Sequence, residues 1–442
     1  MRIAIELNDT AAIIHDGKEI ISISPGYIVE TGGHTWYGHQ ARERAFLYSN
    51  QCDNRFWSEL ASADENHIDH GLLKFAAGHL AFMWNQAPDQ VTAVVLIVPA
   101  TFTKTGLGLL LGICKQLNIP VQAMVHRAVL CPRQQGHEGD TVHIDMQLHH
   151  TAITTLKTVD QDFVVNDTRV VHGTGLVRLY QQVADYLAQE FIKNTRLDPM
   201  HTAKLEQQLF DRLAGWLQES WDKDSVKCEL FYNDDSYEIM ANSQSLHAVY
   251  QTSLDKIIKS IKEVCAGNNI ITCATAPLDA EFGIISYLDK HHLKVRILDQ
   301  AYFARRSLEY NEDILSSDGQ VYLNKQLPYT QVSDGLADTV SIEDEYEKPD
   351  GVLFRHQAYK LKDAIALINR NDACELDYQC VDTDMTLLVI RNSDSDVSIE
   401  HNRQQAITIN GQHAPSPSRL AIGDLVKVPG CDDVLSLIKV RE

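Results

Sequence analysis

The chain has 442 residues, 44% of them hydrophobic, and 39 Lys and Arg against 60 Asp and Glu give a formal charge of −21. At ~100–200 residues per domain this length predicts two or three domains with ample core material, and the apolar fraction excludes global disorder. A charge this negative, without a dense basic stretch, leaves no electrostatic footprint for nucleic acid or anionic lipid, so neither is expected as a partner.

Alternating apolar and polar residues in RIAIEL, AAIIHD and EIISIS predict a β-meander over the first fifty residues. The polar break at Asn8 to Thr10 makes this a strand–turn–strand start and not a signal peptide. Apolar residues recur at helical spacing from His67 to Trp84, and Thr92 to Pro99 is a continuous apolar run suited to a buried strand. A helix at Lys104 to Leu117, a strand at Val121 to Val125 and a strand pair at Thr141 to Leu156 continue an α/β rhythm. Helical patterns return at Leu176 to Asn194, Ala203 to Ser220 and Ser245 to Ala266. A strand at Ile270 to Ala274, a helix near Asp279 to Lys290 and a strand at Leu293 to Leu298 follow, and the α/β body is expected to close near residue 310. Residues 311–350 read as an acidic connector: Gln331 to Asp350 carries seven acidic residues against the single Lys348. Beyond it, TLLVIRN, DVSIEH and AITING, with turns at Asn392 to Asp396 and Asn410-Gly411, predict a small all-β domain over 351–442. No internal repeat is evident in the sequence.

The longest strongly apolar runs fall well short of the ~20 residues that span a bilayer, so no membrane insertion is expected. Nine cysteines without a C-x-x-C pair fit reduced core thiols, and the expected location is the cytoplasm. Lys104-Thr105-Gly106-Leu107-Gly108 follows an apolar strand, but the third Gly falls at 112 and no Gly-Lys-Ser/Thr follows. The stretch therefore reads as a helix whose glycines allow close packing, not as a phosphate loop. His137, His143, His149 and His150 flank Asp145, yet ligands ~20 Å apart along a strand rising ~3.3 Å per residue cannot converge on one ion unless a turn folds them back. They read as ordinary polar strand positions, and no residue is assigned as a metal ligand.

The order of segments over residues 1–310 resembles the nucleotide-binding half of the DnaK-type heat-shock chaperones, of the actin and hexokinase-like ATPase superfamily. Ile3-Ala4-Ile5-Glu6-Leu7 is similar to the family's first phosphate strand, and Ser24-Pro25-Gly26-Tyr27-Ile28-Val29 through Tyr37-Gly38-His39-Gln40-Ala41 to its proline-led strand and following turn. The strongest likeness is Val94 to Leu130, with Val98-Pro99-Ala100 as the distinctive turn. Gly173 to Phe191 resembles the helix after the second Gly-rich turn, and Tyr250 to Val264 the helix before the adenosine loop. The resemblance implies a bilobed α/β ATPase-like fold binding nucleotide between two Gly-rich hairpins, whose amides approach the phosphates beside carboxylates that organise Mg²⁺ and water.

Departures from the pattern fall on that chemistry. The first hairpin reads Glu6-Leu7-Asn8-Asp9-Thr10, with the carboxylate lengthened, a Gly lost and Asp9 placed near a phosphate position. The second reads Asp145-Met146-Gln147-Leu148-His149-His150-Thr151-Ala152, with its glycines replaced and its second carboxylate now Ala152. The family's Glu-Pro-Thr is here Arg127-Ala128-Val129, and its adenosine-loop Gly-Gly-Ser is Cys273-Ala274-Thr275. Loss of one such donor typically costs ~3 kcal/mol of catalysis, so together they imply a pseudo-ATPase. Glu6, Asp9, Thr10, Arg127, Asp145, Gly175 and Thr275 are its degenerate cleft residues. Arg127 has two readings, a cation for a phosphate or a salt bridge to Glu6 or Asp145; the second is expected.

Residues 352–440 resemble a forkhead-associated β-sandwich. Ile368-Asn369-Arg370 with Cys374-Glu375-Leu376 is similar to its Gly-Arg turn and next strand, and Ile409-Asn410-Gly411-Gln412 with Leu420-Ala421-Ile422-Gly423-Asp424 to its closing strands. Of the phosphothreonine-gripping residues only Arg370 survives; the family's Ser-x-x-His aligns with Asp382-Thr383-Asp384-Met385 and its Asn with Gln405. The whole reads as a non-catalytic, chaperone-like scaffold or adaptor whose partners are proteins. No cofactor and no small-molecule substrate is expected, with Mg·ATP or ADP binding, as in an ATPase or sugar-kinase-like enzyme, the alternative.

Overall fold

The computed structural model describes residues 1–64, 70–132, 140–159, 162–233, 235–265, 270–275, 280–310, 314–315, 320–328, 348–355, 357–370, 373–378, 386–393, 396–401, 407–409, 412–413, 418–420, 424–428, 431 and 435–438. The acidic run expected to link the domains lies outside them except for 348–350. The chain divides into two compact units, Met1–Ala337 and Asp338–Glu442.

The first unit opens with strands β1 (Arg2–Glu6), β2 (Ala12–His15) and β3 (Ile20–Ser24), the predicted meander. An excursion follows: β4 (Ile28–Thr31), β5 (His34–Tyr37), α1 (Gly38–Arg42), β6 (Cys52–Asp53), α2 (Phe56–Ala61) and α3 (His70–Trp84). The chain then returns as β7 (Ala93–Val98), α4 (Lys104–Gln116) and β8 (Val121–His126). β7 lies parallel to β1 and β8 parallel to β7. The same plan is then used again. β9 (Asp140–Met146), β10 (His150–Val159) and β11 (Asp162–His172) form a second antiparallel meander. Helices α5 (Leu176–Thr195) and α6 (Ala203–Glu219), the hairpin β12 (Ser225–Tyr232) and β13 (Asp235–Asn242), and α7 (Ser243–Val264) make the second excursion. β14 (Ile270–Thr275), α8 (Ile284–Lys290) and β15 (Lys294–Leu298) complete it, with β14 parallel to both β9 and β15.

Each sheet therefore places its third, second and first strands, then its two parallel strands, in one order, a topological repeat that the sequence does not display. α9 (Tyr302–Glu309) follows, and the body does not close at 310. β16 (Leu323–Asn324) extends the first sheet beside β8, and β17 (Gln326–Pro328) extends the second beside β11. Sequence reading also missed β11 and the β12–β13 hairpin.

Period-2 burial explains how the sheets stack. Ile3 and Ile5 of β1, with Val94, Leu96 and Val98 of β7, face a core shared with α3 and α4. Ala4, Val95 and Ile97 face the other way, into a core that also takes Leu156, Cys273, Leu298, Phe303 and Leu327 from the second half. Both faces of the first sheet are thus covered, which is why its parallel strands are continuous apolar runs. In α4, Gly106 packs close against the Leu60 carbonyl as expected, whereas Gly108 and Gly112 have open space around them.

Beneath the first meander, Trp57 Nε1 donates to His79 Nδ1 at 3.0 Å, and His79 Nε2 lies 2.8 Å from Ser24 Oγ. With Nδ1 accepting, the ring is neutral with its proton on Nε2, and burial lowers its pKa from 6.5 to about 4, the Pro25 carbonyl opposing. Because the unfolded chain takes up this proton between those values and the folded one does not, the contribution is complete above pH 6.5 and lost as pH falls toward 4. The His79 share of the stability should therefore fall on acidification across that range. His79→Gln, which preserves both hydrogen bonds, should gain on the wild type by up to about 1.4 kcal/mol for each pH unit of acidification. Parallel slopes would remove His79 from the account.

The second unit is all strand among its described residues. β18 (Gly351–Phe354), β19 (Gln357–Lys360), β20 (Ala364–Arg370), β21 (Ala373–Asp377), β22 (Thr386–Asn392), β23 (Val397–His401), β24 (Thr408–Ile409), β25 (Gln412–His413), β26 (Ser418–Arg419), β27 (Leu425–Lys427) and β28 (Leu435–Ile438) form a six-stranded and a five-stranded antiparallel sheet. Ile365, Leu367 and Ile390 of one sheet share a core with Val352, Val426 and Leu437 of the other. At the site of the turn predicted after Asn392, Ser393 N donates to the Asp396 carbonyl at 2.9 Å; residues 394–395 and the predicted Asn410-Gly411 turn lie outside the described residues. Of the eight described cysteines, all free, six are buried, Cys52 and Cys265 being the half-buried pair. No helix among the described residues is long and apolar enough to cross a membrane.

Candidate functional site

Where the two meanders face each other, the ends of β1 and β9 bring Glu6 and Asp145 together, and a short 3-10 turn after β8 inserts Arg127 between them. Arg127 Nε and Nη2 each reach Glu6 Oε1 at 2.8 Å, and Nη1 pairs with Asp145 Oδ1. The guanidinium lies 4.4 Å from the Phe303 ring centroid. Glu6, Arg127 and Asp145 are 1%, 4% and 1% exposed, so the triad is out of water and its geometry is fixed by its own contacts. Burial works against the Arg127 charge, but Asp145 and Glu6 outweigh it and hold its pKa above the usual arginine value. Burial likewise raises Glu6, with Arg127 pulling the other way.

The turn after β1 completes a bridge between the sheets. Asn8 Nδ2 donates to Asp145 Oδ1 at 2.9 Å and to the Met146 carbonyl at 3.3 Å, while Asn8 Oδ1 accepts from Thr10 N at 2.9 Å and Thr10 Oγ1 at 2.6 Å. Asp9 Oδ1 accepts from the Leu148 amide at 2.7 Å. Burial is the main cause that lowers His126 to about 4, and it holds His143 well below its ordinary value, with Arg127 adding to the effect on His143.

Several amides at the two hairpins are already bonded. Leu7 N donates to the Ile97 carbonyl at 2.9 Å, Gln147 N to the His150 carbonyl at 2.9 Å, and Leu148 N is taken by Asp9. A helix N-terminus is a ready anion site because its first amides lack partners. At α5 those amides are consumed, Leu176 N by the Gln147 carbonyl at 2.9 Å and Val177 N by the Leu148 carbonyl at 3.0 Å. Gly175, the N-cap, makes this approach possible: a Cβ there would sit 2.3 Å from the His149 carbonyl carbon and 2.4 Å from the His150 nitrogen.

Further contacts tie the first excursion to the second half. His149 Nε2 donates toward the Asn54 carbonyl at 3.0 Å. Gln207 of α6 donates to the Arg42 carbonyl at 3.0 Å and accepts from Phe46 N at 2.9 Å, and Phe46 stacks on Phe210 with centroids 4.0 Å apart.

Of the residues the sequence nominated, Glu6, Asp9, Thr10, Arg127, Asp145 and Gly175 converge here. Thr275 ends β14 in register with Leu298, to one side of the hydrogen-bonded triad. Arg370 belongs to the second unit, half exposed at the end of β20, with Asp377 Oδ2 at 3.8 Å; an exposed pair of this kind contributes ~0–1 kcal/mol. The segments 382–385 and 405, aligned with a phosphothreonine grip, lie outside the described residues, as does His137. Among the described residues no group of three or more His, Cys, Asp or Glu is arranged to hold a metal. Sequence reading did not foresee Asn8 as a bridge, the Phe303 platform or the Gln207 clasp. Only Gln207 carried a signal, as a polar residue between Leu205 and Leu209 on the buried face of α6. No protein-family model matches the chain, and no curated protein matches it.

Proposed function

We propose that the Met1–Ala337 unit is a pseudo-ATPase, a closed and non-catalytic scaffold related to the actin and heat-shock-chaperone ATPases, and that with its forkhead-associated-like β-domain the protein serves as a cytoplasmic adaptor for protein partners. The observation that carries this reading is the Arg127 bridge, in which one guanidinium occupies the two carboxylates, Glu6 and Asp145, that face each other across the cleft. Two features add support. Two α/β halves, each built on its own sheet, agree with the bilobed body that the resemblance implies, and several hairpin and α5 amides are bonded to protein groups. A nucleotide would have to displace a buried ion pair and several backbone hydrogen bonds at once, each costing free energy that its phosphates would have to return.

Thermal unfolding with Mg·ATP, Mg·ADP and magnesium alone, each at about 1 mM, tests the proposal. A ligand at 100-fold above its Kd adds about 2.7 kcal/mol, a shift of a few degrees. No nucleotide-specific shift is expected. A shift or ATP turnover abolished by Asp145→Ala would put an ATP-binding enzyme in its place, and failure of affinity capture to recover any stoichiometric protein partner would count against the adaptor role.

A further inference from the structure

Charge within the sealed cleft does not balance if every acid is ionised. Three carboxylates, Glu6, Asp9 and Asp145, are 1%, 4% and 1% exposed and share the single guanidinium of Arg127. Arg127 touches Glu6 and Asp145 but not Asp9, whose Oδ1 has the Leu148 amide and whose Oδ2 is buried without a protein hydrogen bond. Among the described residues no second cation acts on Asp9; Arg42, whose charge reaches the neighbouring Tyr27, is exposed. The triad side presents the Asp145 charge, the proline-led segment presents the buried Tyr27 phenol and the Gly26 amide, which bonds the Asp9 carbonyl, and the nearby His126, His143 and His150 are held neutral by burial. An isolated buried carboxylate is among the most costly groups a fold can hold, and the usual relief is neutralisation by a proton.

We infer that the sealed cleft takes up a proton on Asp9, so that the two sheets are clasped more firmly when this acid is neutral than when it is ionised. The titration agrees with the geometry: Asp9 rises from the ordinary 3.8 to about 7, with burial the largest cause, the Leu148 amide opposing and the Asp145 charge adding to the rise. A folded pKa above the unfolded one means that the folded form holds a proton across this interval that the unfolded chain has lost. The resulting stability is complete below about pH 4 and gone once pH has risen through about 7. The device makes the clasp sensitive to pH just below neutrality, and it holds whatever the protein binds.

Asp9→Asn in the full chain tests this, because the amide copies a protonated acid in shape while Oδ1 still accepts from Leu148. The variant should unfold close to the wild-type temperature at pH 4 and several degrees above it at pH 8. Infrared spectroscopy supplies a second reading. The native wild type should show a buried carboxylic-acid C=O band at pH 6 that fades by pH 8 and is absent from the variant. Parallel stability profiles, or an Asp9→Asn chain less stable than wild type at pH 8, would overturn the inference. So would a band that survives in Asp9→Asn and disappears in Glu6→Gln, which would put the proton on Glu6. If Asp9→Asn fails to fold, the wild-type band and Glu6→Gln decide: a fading band retained in Glu6→Gln upholds Asp9, and its absence from either chain refutes it.

Discussion

Arg127→Met should destabilise the Met1–Ala337 unit by about 3–5 kcal/mol, because it leaves two carboxylates buried with no counter-charge. Both partners are about 1% exposed, so water cannot replace the guanidinium without opening the cleft. The cost should depend on pH. With Arg127 gone, nothing opposes the burial that raises Glu6, so the variant should regain stability as pH falls and that acid protonates. Removing all three charges should behave differently. In Glu6→Leu/Arg127→Met/Asp145→Asn, the new side-chain carbonyl at position 145 can still accept from Asn8, and replacing buried ion clusters by well-packed apolar groups is often neutral or stabilising by about 1–4 kcal/mol. Most of the single-variant loss should therefore return in the triple variant. Denaturant unfolding of the single and triple variants at pH 5 and pH 8 checks both statements. A single variant within about 1 kcal/mol of wild type would mean that the triad does not hold the cleft shut.

The sequence displays the part of this architecture that local pattern encodes. The β1–β3 meander, α4 and β7 declare themselves because their apolar periods match their elements, and the salt bridge expected of Arg127 is present, to both carboxylates. The β12–β13 hairpin carries an equally plain signal, Val226, Cys228 and Leu230 alternating inward to face Ile239 and Ala241, but it is short and lies between two long amphipathic helices whose period dominates the region. β11 was harder, since Asn166-Asp167-Thr168 interrupts its apolar residues and a register shift at Thr155 and Leu156 disturbs its pairing with β10. The doubled sheet order and the Asn8, Phe303 and Gln207 contacts join residues far apart in the chain, and no short-range spacing reports them. Loss of the hairpin glycines was visible in sequence. Its consequence was not, because which amides find new partners depends on where a helix about 30 residues away comes to rest.

Gly175 is the retained glycine on which that resting place depends, and Gly175→Ala is the second substitution with a large expected effect. Its φ of −75° and ψ of 165° suit any residue, so the cost does not come from backbone strain. It comes from contact. The new Cβ would lie 2.3–2.5 Å from the His149 carbonyl carbon, the His150 nitrogen and the Leu148 carbonyl oxygen, all backbone atoms of the β9–β10 turn, which no side-chain rotation can move aside. α5 must therefore withdraw, losing the bonds from Leu176 N and Val177 N. Overpacking costs about 1–3 kcal/mol and each lost hydrogen bond about 0.5–1.5, which together predict roughly 2–6 kcal/mol. Gly173→Ala is the control. It sits two residues away at φ +71°, where a Cβ meets nothing within 4 Å, so only the left-handed backbone is penalised, by about 1–2 kcal/mol. Hydrogen exchange separates the two: in Gly175→Ala the Leu176 and Val177 amides should lose protection selectively, while in Gly173→Ala they should keep it. Equal loss in both variants would mean that α5 is held by its apolar face on the core and not by its N-terminus, and the amides of that terminus would then be free to meet an anion after all.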